Sequence, residues 1–216
     1  MKKKSWCFRI FFYVLSLLIL ALGITLNTKT GLGVSPIISV SYSISEVFHW
    51  NFGNVTMALY VIFVLLQLII RGKDRRYYDL LQIPLSLIFT RFMNLFNDKI
   101  TVAPDTFAGQ LFLLFAAVTL TGIGAAMSVN MHIIPNPGDG IVAAIAEVAH
   151  KEMGGVKNIF DLVNIGITFC IGLLSGHFLL GIGIGTVLAV IGVGRVGAFF
   201  NFLCKKKMAV LAGLEA

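Results

Sequence analysis

Charge is what this sequence has least of. Only 12% of its 216 residues are Asp, Glu, Lys or Arg, about half the share of a soluble domain. The stretches Ile10–Thr28, Val47–Ile70, Thr106–Gly138 and Leu162–Gly194 carry none, and the last two, at 33 residues each, are well beyond the roughly 20 apolar residues one membrane span requires. With 57% hydrophobic residues, the chain reads as a polytopic membrane protein with no room for a separate soluble domain. Cysteine is scarce too: Cys7, Cys170 and Cys204 are scattered, odd in number and without a CxxC pair, which excludes a disulfide framework and a cysteine zinc site. No Ser/His/Asp or Cys/His arrangement stands out, so the chain does not read as an enzyme and no cofactor is expected. Acidic residues are outnumbered 10 to 17, for a net charge of +7. The basic residues cluster at the ends of apolar segments without an aromatic-interleaved face, which argues against nucleic-acid binding and for topology anchoring.

What is present in quantity is internal repetition. Pro36, Ile44, Glu46, Val47, His49, Gly53 and Val55 return 101 positions later as Pro137, Ile145, Glu147, Val148, His150, Gly154 and Val156, and Gly23 returns as Gly124. Further on, Arg91, Phe96 and Asn97 match Arg195, Phe200 and Asn201 at an offset of 104. A single membrane domain over 1–216 is therefore expected, made of two copies at about 8–99 and 107–204. Such duplications often keep a binding site or pore where the copies meet.

Six segments are long enough, or nearly so, to cross a bilayer: 8–28, 54–71, 80–97, 107–129, 157–175 and 178–203. Lys2-Lys3-Lys4 before the first resembles a signal peptide, but the apolar run is long for one and lacks a small-x-small cleavage site, so an uncleaved helix is expected. Two shorter segments, 36–50 and 137–150, each open on a Pro, a residue suited to the first helical turn. At about 21–22 Å they fall short of a roughly 30 Å core. If they do not cross, thirteen basic residues fall on one side, against Lys29 and Lys99 on the other. These are Lys2, Lys3, Lys4 and Arg9; Arg71, Lys73, Arg75 and Arg76; Lys151 and Lys157; and Lys205, Lys206 and Lys207. The positive-inside rule favours that topology over eight spans. Three crossings per copy then give an all-α, 3+3 inverted repeat with two re-entrant helices, both termini cytoplasmic.

Irregular segments precede both short helices: Thr30-Gly31-Leu32-Gly33-Val34-Ser35 and Asn136-Pro137-Gly138-Asp139-Gly140. Non-helical backbone at membrane depth belongs inside protein or against a wet cavity, and a helix N-terminus there offers free amides and partial positive charge. Ser35 and Asn136 are thus candidate substrate-binding residues, and on the plainer reading they are simple N-caps. Arg91 and Arg195 lie inside apolar segments at matching positions, so interior placement with a partner is expected. Either they bind an anionic group together with the helix ends, or each lies nearer the cytoplasmic end of its segment or ties two helices together, with Asp139 and Asp161 as candidate partners. Asp139, Asp161 and Asn164 add acidity to the second copy at positions where the first has Ile38, Tyr60 and Phe63. A cation or proton role follows, with an Asp–Arg ion pair as the plainer alternative. Both Glu-x-x-His motifs (Glu46/His49, Glu147/His150) match half of a di-metal bundle set, but no further span glutamates complete it, and helix-end anchoring is expected. The GxGxxG at Gly192–Gly197 lacks the βαβ context of a dinucleotide site. With Gly181, Gly183 and Gly185 it reads as close helix packing.

Gly31-Leu32-Gly33-Val34-Ser35-Pro36 with the Ser-rich segment after it, Asn136-Pro137-Gly138-Asp139-Gly140, and Gly181-Ile182-Gly183-Ile184-Gly185-Thr186-Val187 resemble signatures of the YczE/YyaS/YitT-like bacterial membrane proteins. That family often has Arg between the Pro and Asp, where this chain has Gly138. The resemblance implies a bacterial cytoplasmic-membrane protein and supplies no substrate. Two functional classes remain. One is a small-solute or ion transporter or channel with a polar site between the copies. The other is a non-transporting component, either an assembly factor or a substrate-binding subunit. The bilayer is the expected partner, and a homodimer is compatible with the chain's size.

Overall fold

The computed structural model describes residues 2–214, with side chains from Ser5 onward; the side chains of Lys2, Lys3 and Lys4, which enter the charge count, lie outside the described ones. The elements found among these residues are helical: α1 Lys2–Thr28, α2 Pro36–Phe48, α3 Phe52–Arg71, α4 Gln82–Lys99, α5 Phe107–Asn130, α6 Pro137–Ala149, α7 Met153–Leu174 and α8 Ile184–Ala212. Two 3₁₀ turns, Gly72–Asp74 and Tyr77–Leu81, join α3 to α4. The protein is a polytopic helical bundle, with five helices (α1, α3, α5, α7, α8) long and apolar enough to cross a membrane. The segment 80–97, expected as a further span, forms α4, which is not among those five. It is only 18 residues long and carries Arg91, Asp98 and Lys99, so it is less apolar than the others. The last span starts six residues later than expected because Gly176 and Gly181 take left-handed turns before it.

Both short helices start on their prolines and run 13 residues, about 20 Å. Each is closed by a histidine in the left-handed conformation, His49 (φ 54°) and His150 (φ 52°), 101 positions apart. This is where the Glu-x-x-His motifs end: their histidines terminate helices.

The central feature is the crossing of α1 and α5. Arg9 near the start of α1 donates to the carbonyls of Met131 and His132, just past the end of α5, so the two helices run antiparallel. They cross at glycine: a Cβ on Gly23 would lie 2.5 Å from the Thr121 amide, and one on Gly124 2.6 Å from the Leu20 amide. The 101-residue shift turns each of these contacts into the other. At the far end Gln110, the counterpart of Arg9, has its amide beside Gly31. The 21 residues of α5 between the two clamps span about 31 Å, close to the thickness of a bilayer core.

The short helices are exchanged between copies. α2 packs on α7, where the Ser39 and Thr168 hydroxyls share a hydrogen bond of 2.7 Å. α6 packs on α3, with Gly140 against the Gln67 amide. Again the same shift relates the two contacts. The Gly192–Gly197 segment lies within α8, where Gly192 meets Val118 of α5. Gly183 and Gly185 press on the backbone of Leu32.

Candidate functional site

α6 runs parallel to α3, since Gln67 reaches Pro137 and Arg71 reaches Glu147; the prolines that start both short helices are buried, while the histidines that end them are exposed. The two starts meet. A Cβ on Gly138 would stand 3.1 Å from the Cγ2 of Ile37, and Ile37 and Gly138 are themselves equivalent positions, so they lie where the copies exchange. Asn136 caps α6 by accepting from the Gly138 amide at 2.9 Å, and its side chain lies near the Tyr60 hydroxyl of α3. Ser35 occupies the matching position of α2 without making a side-chain cap.

Two of the expected residues, Asp139 and Asp161, come near each other where α6 meets α7. Asp139 sits in the first turn of α6, and Asp161 and Lys157 of α7 are close enough to act on it electrostatically. Lys157 Nζ bridges to Asp161 at 3.4 Å. Asn164, one turn on, is buried and donates to the Phe160 carbonyl at 2.7 Å. Two helix starts contribute about half a positive charge each. Lys157 adds one more, and the two carboxylates balance them. With both carboxylates ionised, the site is close to neutral without a guest.

Arg91 and Arg195 are not part of it. The expectation of interior, paired arginines is corrected: both side chains are exposed on the outer faces of α4 and α8, and neither has an ion-pair or hydrogen-bond partner among the described residues. A long guanidinium side chain tolerates the periphery of a membrane bundle by snorkelling, so its place in an apolar run did not require burial.

The buried arginine is Arg71, at the end of α3. It pairs with Asp79 and with Glu147 Oε2 of α6 at 3.1 Å, while Arg76 holds the other Glu147 oxygen. The Tyr78 hydroxyl, with Glu147 behind it, raises the pKa of Arg76 above its ordinary value. Asp79 in turn accepts from Gln82, which exchanges hydrogen bonds with Gln67 at 2.9 and 3.1 Å, and Gln67 reaches the Pro137 carbonyl. An unbroken polar column thus runs from the start of α6 to its end and fastens it to α3. The sequence reading missed this column because Arg71 looked like one of four loop cations. The available signal was Gln67 and Gln82, amides that interrupt otherwise apolar segments.

On the α2 side the seam holds a cavity with room for about one water molecule, lined by Asn27, Ser35, Thr121 and apolar groups of α2 and α8. Asn27 is buried, and its Oδ1 has no partner. A buried acceptor left so costs about 1–3 kcal/mol.

An interleaved bundle with two half-helices meeting start to start defines a multi-pass membrane protein. The chain belongs to a family of unknown function, DUF6198, whose description matches residues 7–202. It is similar to an uncharacterised membrane protein, YczE, of Bacillus subtilis, with 26% identity over 91% of this chain and 87% of that one. An uncharacterised protein of Haemophilus influenzae is 27% identical over 86% and 79%. No solved structure matches.

Proposed function

We propose that this protein is a small-solute transporter or channel of the bacterial cytoplasmic membrane, working through a polar site between two inverted repeats, with both termini cytoplasmic. The meeting of Ile37 with Gly138 carries the reading. Two half-helices that start against each other create a polar spot inside an apolar bundle, which a purely structural membrane protein has no need to maintain. Asn136 and Asp139 flank Gly138 in the chain, and Ser35, Asp161 and Asn164 complete the proposed binding set. Arg91 and Arg195 drop out of the binding set, and with them goes the argument for an anionic substrate. The near-neutral charge balance instead suits an uncharged solute or one exchanged with a proton.

The tight packing of the seam is what a closed state requires, and it also favours the second reading, a non-transporting component that binds a partner, a homodimer included. Reconstitution separates the two. Purified protein in liposomes is screened for flux of labelled small solutes alongside Asp139→Asn and Asp161→Asn. Flux above protein-free vesicles, reduced at least tenfold by either variant at unchanged thermal stability, is the expected result. Folded protein that passes none of a broad panel would leave the component reading in place.

A further inference from the structure

The two short helices are held to the bundle by different chemistry. α2 is pinned through uncharged groups: the Val34 amide just before it donates to the Gly181 carbonyl at 3.0 Å, and the Ser43 hydroxyl donates to the Leu180 carbonyl at 3.2 Å. Its Glu46 is exposed and makes no ion pair among the described residues. The position equivalent to Arg71 is Gly172, which has no side chain to offer. α6 is fastened at its far end by charge instead, with Glu147 between Arg71 and Arg76. The rest of that helix offers less to grip. Gly138, Gly140, Ala143, Ala144, Ala146 and Ala149 make up nearly half of it, and lipid tails are as apolar as any side chain, so directional contacts count for more than apolar burial.

The charges are arranged so that this fastening can open. Arg71 and Asp79 are enclosed, their side chains 5% and 3% exposed, and neutralise each other. Arg76 and Glu147 are 45% and 44% exposed, and a pair so placed is held weakly. Releasing Glu147 therefore leaves no buried charge without a partner. The start of α6 stays docked meanwhile, through Gln67 to the Pro137 carbonyl and against Gly140. We propose that α6 is the moving part of a gate, hinged at its start and held shut by Glu147 between Arg71 and Arg76. Opening parts its outer turns from α3 and frees a path toward Asp139 and Asp161 from the proposed cytoplasmic face. The inference deepens the transport reading and rests on it for physiological meaning, but the motion can be measured without flux.

Gly140, Ala144 and Glu147 share one face of α6, and since the first and last of these touch α3, the fully buried Ala144 lies beneath that face. The test uses the full chain in mild detergent, with Cys7, Cys170 and Cys204 replaced by Ser and A144C introduced; V142C, also buried on α6, serves if A144C does not fold. S43C, at the equivalent buried position of α2, is the control. Modification by N-ethylmaleimide is timed with and without Glu147→Gln, which keeps the side chain's size and removes its charge. Glu147→Gln is expected to speed modification of A144C at least threefold and to leave S43C unchanged, while Glu46→Gln alters neither. No change at A144C, equal acceleration at S43C, or the same acceleration from Glu46→Gln would each overturn the gate. Opening in a protein that passes no solute would defeat only the transport reading; flux through a protein whose A144C is indifferent to Glu147→Gln would defeat only the gate.

Discussion

The α1–α5 crossing makes the sharpest prediction, because one glycine on each helix is asked to do the same thing. An Ala Cβ at Gly23 would sit 2.5 Å from the Thr121 amide, and one at Gly124 2.6 Å from the Leu20 amide. Both obstacles are backbone atoms that cannot rotate away. Relief requires the helices to separate by roughly an ångström, and overpacking of that kind costs about 1–3 kcal/mol. For a chain of this size that is a fall of roughly 2–12 °C in melting temperature. The double variant carries the distinctive outcome. Once Gly23→Ala has spread the crossing, Gly124→Ala meets less resistance, so the pair should cost less than the two single changes added, with a coupling of about 0.5–3 kcal/mol. Unfolding is followed by intrinsic fluorescence in detergent for all four proteins. Neutral single variants, or strict additivity, would refute the shared crossing and with it the antiparallel meeting of the copies.

Three further outcomes follow. Arg71→Ala strands the buried Asp79 carboxylate and should destabilise by about 3–5 kcal/mol, read as a lost folded fraction after detergent extraction; Arg91→Gln and Arg195→Gln, on exposed faces, should shift stability by less than about 0.5 kcal/mol. Gly140→Ala puts a Cβ 2.7 Å from the Gln67 Oε1 and should cost about 1–3 kcal/mol, a loss that Gln67→Ala largely relieves in the double variant. W50C and K151C, at equivalent exposed turns after the short helices, should react with impermeant thiol reagents from opposite sides of intact cells and inverted vesicles. Labelling from one side would end the inverted-repeat proposal.

Helix-forming segments were legible in the sequence wherever composition alone dictates them. Long charge-free runs must be helices in a bilayer, since every backbone group has to be satisfied internally. Pro36 and Pro137 marked the starts of α2 and α6 to the residue, because proline's fixed φ and missing amide suit that one position. Gly176 and Gly181 delayed the last helix, a choice of local backbone that apolarity does not report. Burial was the harder matter. An arginine within an apolar run can face out or in, and only packing decides: Arg91 and Arg195 point outward, while Arg71, which resembled a loop cation, is enclosed because the turn after α3 brings Asp79 beside it and α6 delivers Glu147.

The sequence by itself determined a membrane helical bundle with short-helix starts at fixed prolines, since apolar length and proline chemistry act locally. The tertiary structure alone decided that α2 packs along α7 and α6 along α3, that Ile37 meets Gly138, and that Asn27 is buried with its oxygen unpaired. Those facts depend on contacts between residues about a hundred positions apart, and no local rule along the chain encodes which of them will touch.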